Sequence, residues 1–536
     1  MRVNSRSMAV ASISALALFA TACGGGGDDE GGSGGAGGEM TVGGCNPENP
    51  LVAGNTSETC GGDVLNILTA KLVKYDPETA EPTNDIAESI ETDDNQNFTI
   101  KIKEGYKFHD GTDVTADSFV DAWNYTAYGP NAQGGSYFMA PIEGFKEVNA
   151  EKSKTKELSG LKVKDDTTFT VKTSEPVVDF PVRLGYTAFA PQPEAFFEDP
   201  EGFGDEPIAA GPYKFDSWDK NKTIKLSKFE DYSGEFEGNA DAITFQIFQD
   251  ADAEYTALQS GQIDINRQVP PSGLVDGQYE KDFPDRSTSR DTMTIQWAGL
   301  NPEADPKLKD VDVRRAISMA INREEIIKEI FDGLRKPATG WVSEEIEGVE
   351  PGACGEYCEY DPKKAKDLLE KAGGFDGKLT FTYNGDGGHK EWVDATCNSI
   401  KNALDIECSG KPTVDFATFL EGVGESEVKG LFRMGWQADY PSAENYLVPM
   451  FADGADSNYY AYKNPKFEKK IAEANAADTV EDARPIFNEA EAIIAEDFPT
   501  IPLWNATAQV AWSEKVSDVK VTPFGYVDLL NVKVKG

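Results

Sequence analysis

An α/β fold of more than one domain, with sheets that are partly parallel, is what this chain predicts. Three observations carry that expectation. Apolar strand-like runs alternate with amphipathic helical runs along most of the length, the pattern that layers helices on sheets. At 536 residues the chain can bury large cores and exceeds one ordinary domain. Its 39% hydrophobic and 10% aromatic content describe a globular body.

The N-terminus stands apart from that body. MRVNSRSM carries Arg2 and Arg6, and AVASISALALFATA follows as an apolar run ending in small residues. Residues 1–22 therefore read as a secretory signal, shorter than the roughly 20 apolar residues of a membrane-spanning helix. Ala20-Thr21-Ala22-Cys23 resembles the lipobox of bacterial lipoproteins, with Ala20 where leucine is usual. That resemblance implies a diacylglycerol on Cys23, which becomes the first residue of the mature chain. Without it, Ala20-Thr21-Ala22 reads as an ordinary A-x-A cleavage site with Cys23 as a bystander. Residues 24–44 show no apolar pattern and are expected to be flexible coil; the whole of 23–61 reads as a tether, with order starting near Gly61.

Beyond it the elements follow in turn. DVLNILTAKLVKYD (63–76) joins helical spacing to a β-prone end. NFTIKIKEGYKFHDG (97–111) alternates polar and apolar, so it reads as strand ending in a His-Asp-Gly turn. TADSFVDAWNYTAYG (115–129) starts a helix at Thr115 and puts Phe119, Trp123 and Ala127 on one face. LKVKDDTTFTVKTSEP (161–176) is a hairpin, and AAGPYKFDSWDKNKTIKLSKFEDY (209–232) is a second strand pair. DADAEYTALQSGQIDI (250–265) predicts a helix, a stop at Gly261 and a buried strand. TMTIQWAGLN (292–301) is an apolar strand, and 310–333 a long amphipathic helical region closed by Gly333. Helices at 361–373 and 391–404 flank the strand LTFTYNG (379–385). LFRMGWQADYPSAENYL (431–447) runs from apolar strand into polar loop, two helices fill 465–497, and FPTIPLWNATAQVAW (498–512) returns to strand.

Composition removes whole classes of function. With 93 acidic against 51 basic residues the net charge is −42, which denies nucleic acid the basic footprint it needs. Only His109 and His389 exist, so HExxH and His-rich metal sites are absent, and outside the glycine-rich stretch 24–38 there is no GxSxG elbow, GxGxxG or GxxxxGK[ST] loop. No metal or cofactor is expected. Setting Cys23 aside, the other cysteines fall into the close pairs Cys45/Cys60, Cys354/Cys358 and Cys397/Cys408. In an exported chain these are expected to be disulfides between nearest neighbours, although sequence alone permits other pairings.

Taken in order, YKFHDGTDVTADSFVDAWNY, AAGPYKFDSW, LQSGQIDI, DVRRAISMAINREEII and GWQADYPSAENYL resemble the peptide-binding lipoproteins of bacterial ABC transporters, the extracellular solute-binding protein family 5. The likeness runs from about residue 62 to about 515. It implies a periplasmic-binding-protein-like type II fold, two lobes with a hinge plus an inserted subdomain. Lobe I would comprise 62–76, 181–300 and 511–536, the insert 77–180 and lobe II 301–510. It implies a monomeric receptor, not an enzyme, that closes on a peptide and delivers it to an ABC permease driven by separate ATPase subunits.

The same resemblance nominates site residues. Asp439 in GWQADYP matches the aspartate that pairs with a peptide's α-ammonium; left in the open it would be an ordinary loop carboxylate. Trp436 matches a tryptophan near the ligand, or else packs in a core. Arg433, in an otherwise apolar strand, and His389 in NGDGGHKEW match groups that meet ligand C-termini; otherwise they are a structural ion pair and a surface histidine. Trp297 and Tyr440 complete the set. Ala70 and Lys71 stand where relatives carry Glu-Gly or similar, and Lys71 either reaches a ligand carboxylate or runs to solvent. That departure leaves open a non-peptide solute such as an oligosaccharide, an opine or a metal chelate. A secreted hydrolase or a signalling lipoprotein is the remaining alternative.

Overall fold

In the computed structural model, which describes residues 37–535 except Asp386 and Asp456, with backbone alone at Ala417, the chain enters a sheet at once. Strand Glu39–Gly44 pairs in parallel with Ala242–Ile247, and Thr223–Lys228 and Tyr213–Asp219 continue the sheet antiparallel. This corrects the expectation of coil through residue 44 and of a tether reaching 61. Only Met40 and Val42 are large and apolar in EMTVGG, too little for an alternation to be read, yet both are buried. The strand is held by a neighbour about two hundred residues away rather than by its own pattern. The export segment, Cys23 and the residues up to 36 lie outside the described residues.

Helix Thr59–Leu68 follows, capped by Glu58, whose carboxylate accepts from Gly61 N at 3.0 Å, and it buries Val64, Leu65, Ile67 and Leu68. Disulfide Cys45–Cys60 ties it to the first strand. Cys354–Cys358 and Cys397–Cys408 also form, so the nearest-neighbour pairing holds.

A second, antiparallel sheet runs Ala87–Glu91, Asn97–Ile102, Thr168–Lys172, Leu161–Asp165. Asn97–Ile102 alternates exposed and buried residue by residue, as its sequence predicts. Helix Ala116–Ala127 covers this sheet, starts at Thr115 and turns Phe119, Trp123 and Ala127 inward. His109 is structural: Ala209 N donates to its Nδ1 at 3.2 Å and Nε2 faces Gly211 O at 3.1 Å. Burial holds it near 4, so it stays neutral.

The third sheet has the order Lys336–Pro337, Ile501–Ala511, Ser287–Leu300, Leu431–Gln437, Leu379–Asn384, Cys408–Thr413. Leu379–Asn384 is parallel to both its neighbours, and the remaining pairs are antiparallel. The two longest strands are broken in register between Asp291, opposite Thr507, and Ile295, opposite Asn505. Val510 belongs to the core of the first sheet, whereas Ile295, Trp297, Ile501 and Leu503 belong to the large core of the third.

Three sequence expectations change in detail. The helical region 310–333 is two helices, Val311–Met319 and Arg323–Phe331, because Asn322 caps the second and Arg323 turns inward onto the carbonyls of Ser318, Cys358 and Pro502. Residues 263–265 form no strand, and only Ile265 makes isolated bridges, to Val42 and Trp512. The polar loop after Gln437 re-enters a helix, Glu444–Phe451. No helix among the described residues is long and apolar enough to cross a membrane.

Candidate ligand-binding site

A cavity of about 480 Å³ opens where the first sheet, the end of strand Leu431–Gln437 and the C-terminal segment meet. Val42 and Gly43 of the first strand form part of its wall; Gly43 is needed there because a Cβ would run into the Glu254 carboxyl group. Helix Thr59–Leu68 contributes Asp63 and Asn66, and residues 71–77 contribute Lys71, Lys74 and Tyr75. Tyr186 and Thr187 come from a 3₁₀ turn region beside Gly185, whose missing Cβ makes room for the Tyr75 ring.

Asp439 is the acid at the end of the strand that sequence reasoning singled out, and it lines this cavity. Its neighbour Ala438 donates its N–H to Met293 O at 2.9 Å, inside the register break of the long strands. Asn445, 1% exposed, holds Asp439 twice: its Oδ1 accepts from Asp439 N at 2.9 Å and its Nδ2 donates to Asp439 Oδ2 at 3.0 Å. The Tyr186 side chain also bonds to the carboxylate. Burial pushes the Asp439 carboxyl up to about 7, against these hydrogen bonds, and no cation among the described residues acts to lower it. A carboxylate so placed is chemically prepared for a cationic ligand group.

Lys71 also lines the cavity and is 9% exposed, so its side chain does not run to solvent. Trp436 does not line it. Its Nε1 donates at 3.0 Å to Asn445 Oδ1, so it acts on Asp439 through Asn445. Tyr440 donates its hydroxyl to Glu444 Oε2 at 2.6 Å and lies under the Arg183 guanidinium, in a buried ionic cluster rather than in the cavity wall. Trp297 is a core residue, fully buried, with Nε1 on Tyr460 Oη at 2.7 Å; an apolar strand surrounded on both faces leaves its side chain no path to a ligand. Arg433 and His389 gather away from the cavity lining: Arg433 Nε donates to Asn384 Oδ1 at 2.7 Å, and Trp392 Nε1 donates to His389 Nδ1 at 3.1 Å.

Several wall residues had no signal in the sequence. Asp63 is pushed up to about 7, by burial first, with Arg267 opposing and Glu58 and Glu254 adding to the rise. The C-terminal segment supplies Phe524, Tyr526 and Asp528. It is pinned by Met293 N on Pro523 O at 2.7 Å, Gln437 Nε2 on Phe524 O at 2.8 Å, and Arg290 Nη1 on Val521 O at 3.0 Å. All three acceptors are backbone carbonyls of the C-terminal segment, which no residue pattern announces.

Residues 81–458 match the family described as Bacterial extracellular solute-binding proteins, family 5 Middle. This chain belongs to that family. As a family 5 solute-binding protein it is 23% identical over 506 residues to the Oligopeptide-binding protein OppA of Bacillus subtilis (strain 168), covering 90% of each chain. It is 28% identical over 446 residues to the Periplasmic oligopeptide-binding protein OppA of Salmonella typhimurium, covering 79% of each. Among solved structures, OppA of Burkholderia pseudomallei superposes with a TM-score of 0.80 at 23% identity, covering 94% of this chain and 100% of that one. The fold of this solute-binding protein is therefore the two-lobed type II fold expected from its sequence, an α/β architecture of several sheets.

Proposed function

We propose that this solute-binding protein is a receptor on the outer face of the bacterial cytoplasmic membrane, bound to it by a lipid on Cys23. It takes peptides into the cavity between its lobes and delivers them to an ABC permease with separate ATPase subunits. The observation that carries the reading is Asp439, a carboxylate in the cavity wall held by Asn445 and Tyr186, on which none of the wall's own cations acts. The α-ammonium of a peptide supplies the missing charge, and two hydrogen bonds fix the carboxylate in advance so that little ordering is needed on binding. The printed names of the two curated relatives, both oligopeptide-binding proteins, support the same class of ligand.

In this reading the lobes keep the boundaries proposed from sequence, with residues 37–61, which form a strand and a helix, assigned to lobe I instead of the tether. The register break at Asp291/Ile295 sits where the two longest strands pass from one core to the other, a site at which a few dihedrals can absorb closure. Closure around the ligand excludes water and strengthens its polar contacts.

Native mass spectrometry of the protein purified from its own membranes tests both halves. Bound masses that resolve into short peptides, on a chain whose first residue is a lipidated Cys23, are expected. A co-purified saccharide or chelate would overturn the peptide reading, and an unmodified N-terminus elsewhere would overturn the anchor.

A further inference from the structure

The geometry points to a second charged subsite in the same cavity: Lys71 and Lys74 form a receptor for a ligand carboxylate. This rests on the peptide reading above and goes beyond it by making the receptor selective for where a peptide carries negative charge.

Lys71 and Lys74 lie three residues apart on the segment that leaves helix Thr59–Leu68 and enters strand Val73–Tyr75, and both line the cavity. Lys71 is 9% exposed, and its Nζ reaches only a neutral partner, Asn66 Oδ1 at 3.4 Å. The Lys74 ammonium sits 3.4 Å from the centre of the Phe236 ring, which also lines the cavity. Neither ammonium makes an ion pair among the described residues. The acid whose charge acts on both, Asp85, is not in the cavity wall and accepts from the Tyr106 hydroxyl at 3.0 Å. The wall's other cation, Arg267, differs, because the charges of Asp63 and Glu254 both act with it. Burial lowers both lysines to about 8, so they still carry charge at neutral pH.

Asp85 acts on both ammonium groups and Asp528, in the wall, on Lys74, but neither makes an ion pair with them, so two ammonium groups brought together out of water destabilise the empty cavity. An anion between them removes that cost and forms charge-assisted hydrogen bonds. The choice of cation is notable on a chain of net charge −42, whose long-range field repels anions. Anion binding here has to come from a local site, and this pair is one. The carboxylate could come from an acidic side chain of the peptide or from its C-terminus, and the two sources separate by experiment.

Titration calorimetry of the full-length protein with pools of tri- to hexapeptides tests the subsite. Each pool is randomised except for one Glu, compared with a matched pool carrying Gln, and each is made with a free and an amidated C-terminus. One arm is expected to lose about tenfold or more in affinity when its carboxylate becomes an amide. That loss, read as the ratio of affinities between each matched pair of pools, should vanish in Lys71→Met and Lys74→Met. Loss only on Glu→Gln identifies a side-chain carboxylate; loss only on amidation identifies the C-terminus. Peptide binding that ignores both changes overturns the subsite and leaves the peptide reading standing. Absence of binding by every pool overturns the peptide reading and the subsite with it. The wild-type comparison needs no variant, so a substitution that fails to fold does not weaken the test; Lys71→Arg, which keeps the charge, should keep the preference.

Discussion

Arg183 and Glu444 meet at 2.8 Å, the first ending helix Phe180–Arg183 and the second beginning helix Glu444–Phe451. Their side chains are 9% and 2% exposed. Asp179, fully buried, joins the pair at 3.1 Å, and the Tyr440 ring lies under the guanidinium. One cation therefore serves two carboxylates in the interior, and one Asp179 oxygen, Oδ2, is left without a hydrogen bond. Removing a partner from a buried pair strands a charge, which costs about 3–5 kcal/mol. Arg183→Ala should lower the free energy of unfolding, read by urea titration, by that much, more than the loss of any single surface pair such as Lys101–Glu88. A loss below about 1 kcal/mol would show that water reaches the cluster. The same pair has to separate if the cleft opens through this region, so the variant should also populate an open form, visible as a larger radius of gyration in X-ray scattering without ligand.

Asp439→Ala is expected to weaken peptide binding by about 2–5 kcal/mol, the usual effect of removing one partner of a buried charge pair. Asp439→Asn keeps the shape and separates charge from packing. Calorimetry returning wild-type affinity for both variants would reject the ammonium clamp.

Asn445 positions the clamp without facing the ligand's charge. Its amide links Trp436 Nε1, Asp439 N and Asp439 Oδ2. Asn445→Ala leaves those groups unsatisfied, and about 1–3 kcal/mol of stability should be lost. If Trp436 acts only through Asn445, then Trp436→Phe should add little to affinity loss in the Asn445→Ala background. A double-mutant cycle reads this directly.

Proton linkage offers an independent check. Asp439 is held at about 7 in the folded protein against an ordinary 3.8, so between those values the folded state binds the extra proton. Asp63, Glu254 and Glu491 are displaced in the same direction, each to about 7, by burial. Their folded pKa lies above the unfolded one, so stability rises as pH falls from 7 toward 5. His109 runs the other way, being held near 4, and offsets part of the gain below its ordinary value. The ligand-free melting temperature should therefore be higher at pH 5.5 than at pH 7.5. A peptide ammonium demands the ionised Asp439, so binding at pH 7 should release about half a proton. Calorimetry in buffers of different ionisation enthalpy measures that number, and Asp439→Asn should abolish it.

The Cys45–Cys60 disulfide joins the first strand to helix Thr59–Leu68, and both elements line the cavity. Replacing both cysteines with serine frees a loop of separation 15, for which the chain-entropy account gives about 2–4 kcal/mol of stability. Affinity should fall with it, because one wall loses its brace. Unchanged melting and affinity would mean that the parallel ladder alone holds that wall.

Much of the fold was legible because local pattern and tertiary environment agreed. The alternation of NFTIKI, the face of Phe119, Trp123 and Ala127, and the cysteine pairs each read correctly from residues a few positions apart. Strand Glu39–Gly44 was not legible, since two apolar residues in a glycine-rich run carry no period. Trp297 and Tyr440 misled for the opposite reason: a large aromatic near a motif says nothing about which side of the sheet meets ligand.

The sequence by itself determined the α/β layering, which depends on residue type and short spacing, and through the order of its segments the family, whose resemblance nominated Asp439; the close spacing of the cysteines favoured nearest-neighbour disulfides without fixing them. Only the tertiary structure decided which groups share the cavity. Lys71 and Lys74 turn inward, Asn445 rather than Trp436 touches Asp439, and the C-terminal segment closes a wall through backbone hydrogen bonds. The reason is physical. A side chain's direction depends on burial and on partners hundreds of residues away, and a backbone contact leaves no mark in the identity of the residue that makes it.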